Sequence, residues 1–329
     1  MMLTDEGMKI GTFAAVTIPE EFGPVMMKID DHVIKAYAFA QDDYLPWYFD
    51  QSPLKIRIGH ATLLCNDLLR IYFTKYDSHT VVGLHASDMT SLFCPIQFGE
   101  IVALTGRFTH KEYRRGKGYV TLRSEAHGED GRLIARQEAE IIIRTLAGET
   151  QRGTSQEVSD AIRVEYEATE FYAQRAAPSV TPGTPLLPLR KRLWQDQASL
   201  FSRIGEYDRN LHNDLEKAHD AGLPRPIAQG LHQTGYFSEL LTRYFGLSWF
   251  YHGRLGVKHL RQVPVDTDIE VRGVVVGRTT EGSDTRVEVN VCSQDSESNV
   301  LSVGRASCLL DDSWQDLKWV SGSGPGASA

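Results

Sequence analysis

The sequence predicts an α+β chain built from two copies of one unit, a buried helix followed by an antiparallel sheet. Three observations carry that expectation. Two apolar stretches, 58–76 and 230–245, have helical spacing. Each is followed by short runs in which apolar and polar residues alternate, as half-buried strands do. The runs of the second half also follow those of the first at a constant spacing. Gly106 and Gly273 are 167 positions apart (273 − 106), as are Val120 and Val287, Leu122 and Val289, Ile134 and Leu301, and Ala139 and Ala306.

In order along the chain, residues 1–27 carry little pattern and read as an arm or a strand lead-in. A helix is expected over Asp31–Ala40, ending at the loop Gln41–Pro53 (QDDYLPWYFDQSP). The next stretch, 58–76, places Leu64, Leu68, Ile71 and Tyr72 at helical spacing and is apolar on more than one side, as for a helix enclosed by a sheet. Strands follow through Ile101/Ala103, Val120/Leu122 and Ala139/Ile141/Ile143, with Gly116, Gly118 and Gly128 to Gly131 marking turns. Residues 144–200 read as a connector: an exposed helix over 155–177, then a Pro-rich crossing with Pro178, Pro182, Pro185 and Pro188. The second half repeats the order. A loop over 204–226 precedes a helix whose buried faces carry Leu231, Phe237, Leu240, Leu241, Tyr244 and Phe245, and Gly246 is placed to end it. Strands follow through Ile269/Val271, Val287/Val289/Val291 and Cys308/Leu310. The expected divisions are a first repeat over 1–150, a connector over 151–190, a second repeat over 191–315 and a tail over 316–329.

Composition narrows the function classes. A net charge of −8 argues against a nucleic-acid partner, which requires a basic footprint. No apolar run reaches membrane-spanning length and the first residues lack a signal-peptide pattern, so a cytoplasmic setting is expected. Cys65, Cys94, Cys292 and Cys308 are scattered with no CxxC spacing, which points to buried thiols. Neither a GxGxxG after a strand nor a His/Asp cluster at metal spacing is present, so no metal and no separate cofactor are expected.

One stretch concentrates the chemistry, Ile204 to His232. A loop bearing Tyr207, Asp208, Asn210 and His212 leads through the turn Gly222-Leu223-Pro224-Arg225-Pro226 to Gly230, which opens the apolar helix. Groups able to move protons thus lie close to a helix N-terminus able to hold negative charge, a pairing suited to a carbonyl that becomes an oxyanion.

Asn210-Leu211-His212-Asn213-Asp214, then Ala221-Gly222-Leu223-Pro224, then Pro226-Ile227-Ala228-Gln229-Gly230 resemble the hydratase motif Asp-x-Asn-Pro-x-His-x-Asp followed by Gly-x-Pro-x-x-Pro-Ile-x-His-Gly. In the first half, Pro46–Pro53 (PWYFDQSP) and Lys111–Leu133 (KEYRRGKGYVTL…DGRL) look like the fungal-dehydratase-like repeat of the same family. The chain therefore resembles the tandem hot-dog proteins of the MaoC-like acyl-thioester hydratase/dehydratase family over roughly residues 30 to 312. The resemblance implies a pseudo-dimeric double hot-dog that adds water to a trans-2-enoyl-CoA, or removes it from a (R)-3-hydroxyacyl thioester, with coenzyme A present only as part of the substrate. It leaves open delivery by CoA or by an acyl carrier, and a monomer or a homodimer.

The family's catalytic positions carry over residue by residue. His212 matches the motif histidine. An ungapped alignment on His212 puts Tyr207 at the motif Asp; a loop one residue shorter puts Asp208 there. The shorter loop is preferred, because a tyrosine with a pKa near ~10 is a poor base. The bland alternatives are a surface histidine and a turn-forming aspartate. Gly230 would form the oxyanion hole, with Asn210 and Gln229, which replaces the motif's later His, beside the substrate. In the first half Asp43 and Pro46 are kept, but Tyr48 stands where the spacing requires His, so that copy is expected to be non-catalytic. Trp47, Tyr48 and Phe49 would line an acyl pocket or serve as ordinary core aromatics. Arg114, Arg115 and Lys117, or else Arg254, Lys258 and His259, are candidates for the CoA phosphates. Two other functions compete: a hot-dog thioesterase, and a non-catalytic acyl-CoA-binding or partner subunit.

Overall fold

Val120, Leu122, Val287 and Val289 alternate with polar neighbours and are fully buried, so each turns one strand face toward a helix. The computed structural model describes residues 7–81, 83–114, 116–143, 162, 164, 171–202 and 209–310. Tyr207, Asp208, Arg115, the tail and most of the helix expected over 155–177 lie outside the described residues.

Among the described residues ten strands form one antiparallel sheet: β1 (Glu20–Lys28), β2 (Gly83–Leu92), β3 (Ile101–Arg114), β4 (Lys117–His127), β5 (Leu133–Ile143), β6 (Leu189–Leu193), β7 (Arg254–His259), β8 (Thr267–Glu281), β9 (Asp284–Asp295) and β10 (Val300–Leu310). Their order is β1-β3-β4-β5-β2-β7-β10-β9-β8-β6, a sequence that mirrors itself about the β2–β7 seam. The 167-residue spacing reappears in the pairing. Val120 lies opposite Ile141 and Val287 opposite Cys308; Gly106 lies opposite Ser124 and Gly273 opposite Val291. This is a pseudo-dimeric double hot-dog fold of α+β class.

Among the described residues the α-helices are α1 (Asp31–Gln41), α2 (Cys65–Arg70), α3 (Gln195–Ser202), α4 (Leu215–Asp220), α5 (Gly230–Phe245) and α6 (Ser248–His252). All of α5 is buried except Gly230 and Arg243, which is why its sequence shows no clean apolar stripe. Gly246 ends it at φ +62°, a conformation a side chain would strain. No helix among the described residues is long and apolar enough to cross a membrane.

Four expectations are corrected. The helix over 58–76 shrinks to α2 and a 3-10 turn over Ile71–Thr74. Its first part is extended and pairs with the loop between β2 and β3, with Ile58 bridging Gln97 and the Gly59 N–H bonding the Ile96 carbonyl; the β-branched and aromatic run after Arg70 disfavours α-helix. Gly118 lies inside β4, and the turn is made by Gly116 at φ +73°. The connector contains structure of its own: β6 pairs with β8, burying Leu189, Lys191 and Leu193 at alternate positions, and α3 follows it. Finally, residues 171–177 are not helical. The Ala173 N–H bonds the Pro185 carbonyl instead, and Ala173 bridges Leu186.

The two halves interlock through polar groups as well as the seam. On β6, Lys191 donates to the Gln41 and Asp42 carbonyls at the end of α1 (3.2 and 2.6 Å) and pairs with Glu239 of α5 at 2.6 Å. His232 of α5 lies 2.8 Å from the Ala40 carbonyl oxygen through Nε2 and stacks on Phe201 of α3.

Candidate active site

The loop around His212 is folded by its own amides. Asn210 Oδ1 accepts the His212 N–H (2.9 Å), and Asn213 Oδ1 accepts the Asn210 N–H (2.8 Å). Asp214 caps α4 by accepting the Lys217 N–H, and Arg209 clamps Asp214 and Glu216 from outside. Within this frame His212 Nδ1 lies 2.9 Å from the Ile227 carbonyl oxygen. A carbonyl only accepts, so Nδ1 carries the proton and Nε2 presents its lone pair. Burial pushes the imidazole down to about 4, against the Ile227 bond and with help from the Arg70 cation. The ring is thus neutral near pH 7, a proton acceptor in waiting.

Three residues after Ile227 the chain enters α5. The Ala228 N–H bonds the Val263 carbonyl and Ile227 bridges Pro264, which aim the helix start. Gln229 occupies the N-cap position without a capping bond from its side chain, and no acid stands in the first turn. The first-turn N–H groups, headed by Gly230, therefore keep their positive field for an anion. Only glycine fits here. A Cβ at Gly230 would lie 2.6 Å from the His259 ring.

His259 was expected among the phosphate-binding candidates, and the structure corrects this. Its side chain is 9% exposed and faces inward, with Nδ1 3.1 Å from Ser302 Oγ and Nε2 3.5 Å from Asp88 Oδ1. His85 Nε2 stands 3.5 Å from the same oxygen, and Thr234 of α5 donates to it at 3.4 Å. Sequence reasoning missed this group because its members are 3 and 171 positions apart. Arg254 and Lys258 remain on the surface of β7, while Arg114 is occupied by Glu112, Glu140 and the Tyr119 ring.

The first half holds a counterpart. The Ile58 N–H bonds the Trp47 carbonyl and the Ile227 N–H bonds the Leu211 carbonyl, so Tyr48 occupies the place of His212. Tyr48 is wholly buried; its hydroxyl donates to Asp43 Oδ2 at 3.1 Å, and His60 Nε2 lies 3.5 Å from that oxygen. Burial and the Asp43 charge raise the Tyr48 pKa well above its ordinary value, and burial pushes His60 down to about 4. Trp47 is also in the core, against Phe250. No local pattern lifts His60 above an ordinary histidine, yet aligning Ile58-Gly59-His60 with Ile227-Ala228-Gln229 puts His60 at the motif histidine that the second half lacks.

No family model and no curated protein matches the sequence. Solved structures do match in shape. A MaoC-like dehydratase superposes with a TM-score of 0.69 at 17% identity, over 89% of this chain and 98% of that one. A MaoC domain protein dehydratase from Chloroflexus aurantiacus gives 0.65 at 12%, over 91% and 97%. A conserved hypothetical protein of Mycobacterium tuberculosis with a double hot-dog fold gives 0.64 at 12%, over 92% and 99%. At these identities the likeness is one of fold.

Proposed function

We propose that this protein is a hydro-lyase that reversibly hydrates a trans-2-enoyl thioester, with coenzyme A or an acyl carrier as the thiol. The observation that carries the reading is the placement of His212. It is neutral, with its tautomer set by Ile227, on the loop that leads into an uncapped helix N-terminus headed by Gly230. The resemblance of that loop to the hydratase motif and the MaoC-like dehydratases among the structural neighbours point the same way.

In the proposed reaction a water held by His212 and Asp208 forms a bond to Cβ, and its proton passes to this pair. Tyr207 takes the place of Asp208 if the loop is not shortened. The C=C electrons move toward the thioester oxygen, where the Gly230 N–H and the helix field stabilise the enolate. A proton delivered to Cα completes the hydroxyacyl product, and dehydration is the reverse. Asn210 and Gln229 border the substrate. The first half, with Asp43, Tyr48 and His60 sealed from solvent, is assigned a supporting role.

The test is a panel of trans-2-enoyl-CoA thioesters of graded chain length, followed by loss of enoyl absorbance and by chromatography of products. Formation of 3-hydroxyacyl-CoA that disappears in His212→Ala supports the reading. Release of free CoA would replace it with a thioesterase, and binding without turnover across the panel would remove catalysis altogether.

A further inference from the structure

We propose that His85, Asp88 and His259 form a binding site for one transition-metal ion, Zn²⁺ by its donor set, at the seam between the two halves. The site exists only because the halves share a sheet. His85 and Asp88 lie on β2 and His259 on β7, and these strands pair with Asp88 opposite Val257 and Ser87 opposite Lys258. On a regular strand, residues three apart point to opposite faces. The register break between His85 and Ser87 leaves Ala86 as an extra residue and turns His85 and Asp88 to one side.

The spacing fits a metal better than it fits hydrogen bonds. Both Nε2 atoms stand 3.5 Å from Asp88 Oδ1, and the three donor atoms lie within 4.8 Å of one another. That exceeds the usual 2.7–3.2 Å of a hydrogen bond. A tetrahedral ion with N and O ligands at about 2.0–2.1 Å separates its donors by about 3.3–3.4 Å. Nε2 of His259 and Oδ2 of Asp88 are buried with no hydrogen-bond partner, although Asp88 is fully enclosed. Orphaned polar atoms of this kind are costly, and an ion between them removes the cost. Ser302 stands at His259 Nδ1 and so leaves Nε2 for the ion, the outer-sphere arrangement usual for a histidine ligand. Two imidazoles and one carboxylate suit zinc and its neighbours, whereas Mg²⁺ and Ca²⁺ take oxygen donors. Three protein ligands leave a fourth position for water or an anion, next to the uncapped start of α5.

The internal repeat supplies a control. Asp88 lies opposite Ala139 and Leu255 opposite Ala306; Leu92 lies opposite Ala135 and His259 opposite Ser302. By the 167-residue spacing, the twins of Asp88 and His259 are therefore Leu255 and Leu92, both buried. The same architecture closes this space with leucines on one side and lines it with an acid and an imidazole on the other.

The experiment uses the whole chain, stripped with chelator and titrated with Zn²⁺ by calorimetry and with Co²⁺ by visible absorption, without substrate. One ion per chain is expected, with the intense bands of four-coordinate Co²⁺, and excess Mg²⁺ should not compete. Ser302→Ala should weaken binding by about 10–100-fold. Asp88→Leu and His259→Leu, the residues found at the twin positions, should weaken it further. Absence of stoichiometric binding by the unaltered chain overturns the proposal, as does undiminished binding in a folded His259→Leu variant. If the leucine variants do not fold, X-ray absorption of the unaltered zinc-loaded chain decides: two imidazole ligands support the site, and fewer overturn it.

Discussion

Nδ1 of His212 lies 2.9 Å from the carbonyl oxygen of Ile227, and this bond sets which nitrogen is free to take a proton. If Nε2 acts on water, His212→Ala should lower kcat on an enoyl thioester by about 10²–10⁴-fold, the usual contribution of a general base. The loop holds itself through Asn210, Asn213 and Asp214, so the melting temperature should barely move. An unchanged rate in the folded variant would remove His212 from the mechanism.

The same bond predicts a pH profile. The His212 imidazole, pushed down to about 4 by burial, is already unprotonated at pH 6. Protonation of His212 should therefore give kcat/KM no acid limb between pH 8 and pH 5.5, with the fall beginning only as pH approaches 4. A limb centred near 6.5 and absent from the profile of a His212→Gln variant would show an ordinary, solvated imidazole.

Gly230 and His259 are coupled by contact. A methyl group at residue 230 has no room beside the His259 ring, so Gly230→Ala should cost about 1–3 kcal/mol in urea melts run with chelator present. His259→Ala in the same chain should return part of that cost, giving a coupling of about 0.5–3 kcal/mol. Additive costs would mean that the ring does not bear on the glycine.

The repeat was legible because β pairing conserves spacing: the constant 167 needs no insertion from Phe98 to Ile143, so Val120 and Val287 announce one register twice. The second helix was legible because Gly230 and Gly246 bracket it. β6 was not, since Arg190 and Arg192 point outward from a short run directly after Pro188 and hide the alternation of Leu189, Lys191 and Leu193. Half of the candidate site, the His212 loop and Gly230, could be proposed from sequence because those residues are close together in it. The other half, Asp88 and His85 against His259, arises from a bulge and from pairing across the seam, and neither leaves a local pattern.

Lys191 and Glu239 form a buried ion pair, 5% and 1% exposed, that ties β6 and α5 of the second half to the end of α1 in the first. Lys191→Met should destabilise the chain by about 1–3 kcal/mol, because it takes the donor from the Gln41 and Asp42 carbonyls and leaves Arg243, at 2.6 Å, to hold the buried Glu239 carboxylate. Lys191→Met with Glu239→Gln should recover part of the loss, since no carboxylate charge is then buried and the new amide oxygen can still accept from the half-exposed Arg243. Equal costs for the single and double variants in urea melts would deny the pairing.

Acid should unfold this protein earlier than its carboxylates alone would require. His60, His85 and His212 are pushed down to about 4 and His232 to about 3, each mainly by burial. A histidine with a depressed folded pKa contributes stability that is complete above its unfolded value of about 6.5 and is lost as pH falls toward its folded value. Asp67 opposes this, because burial pushes its carboxyl up to about 7 and the fold takes up its proton over the same interval; burial and the Asp43 charge raise Glu239 in the same direction. The four histidines outnumber these carboxyls, so the unfolded chain binds more protons than the fold between pH 6 and pH 4.5. Each net proton corresponds to about 1.4 kcal/mol lost per pH unit. Urea melts from pH 7.5 to pH 4.5 should show this slope beginning near pH 6.5, in metal-free protein. Replacing His232 with Asn, which keeps a donor for the Ala40 carbonyl, should reduce the slope by about one proton. A flat profile down to pH 5 would show that these imidazoles protonate inside the fold without penalty.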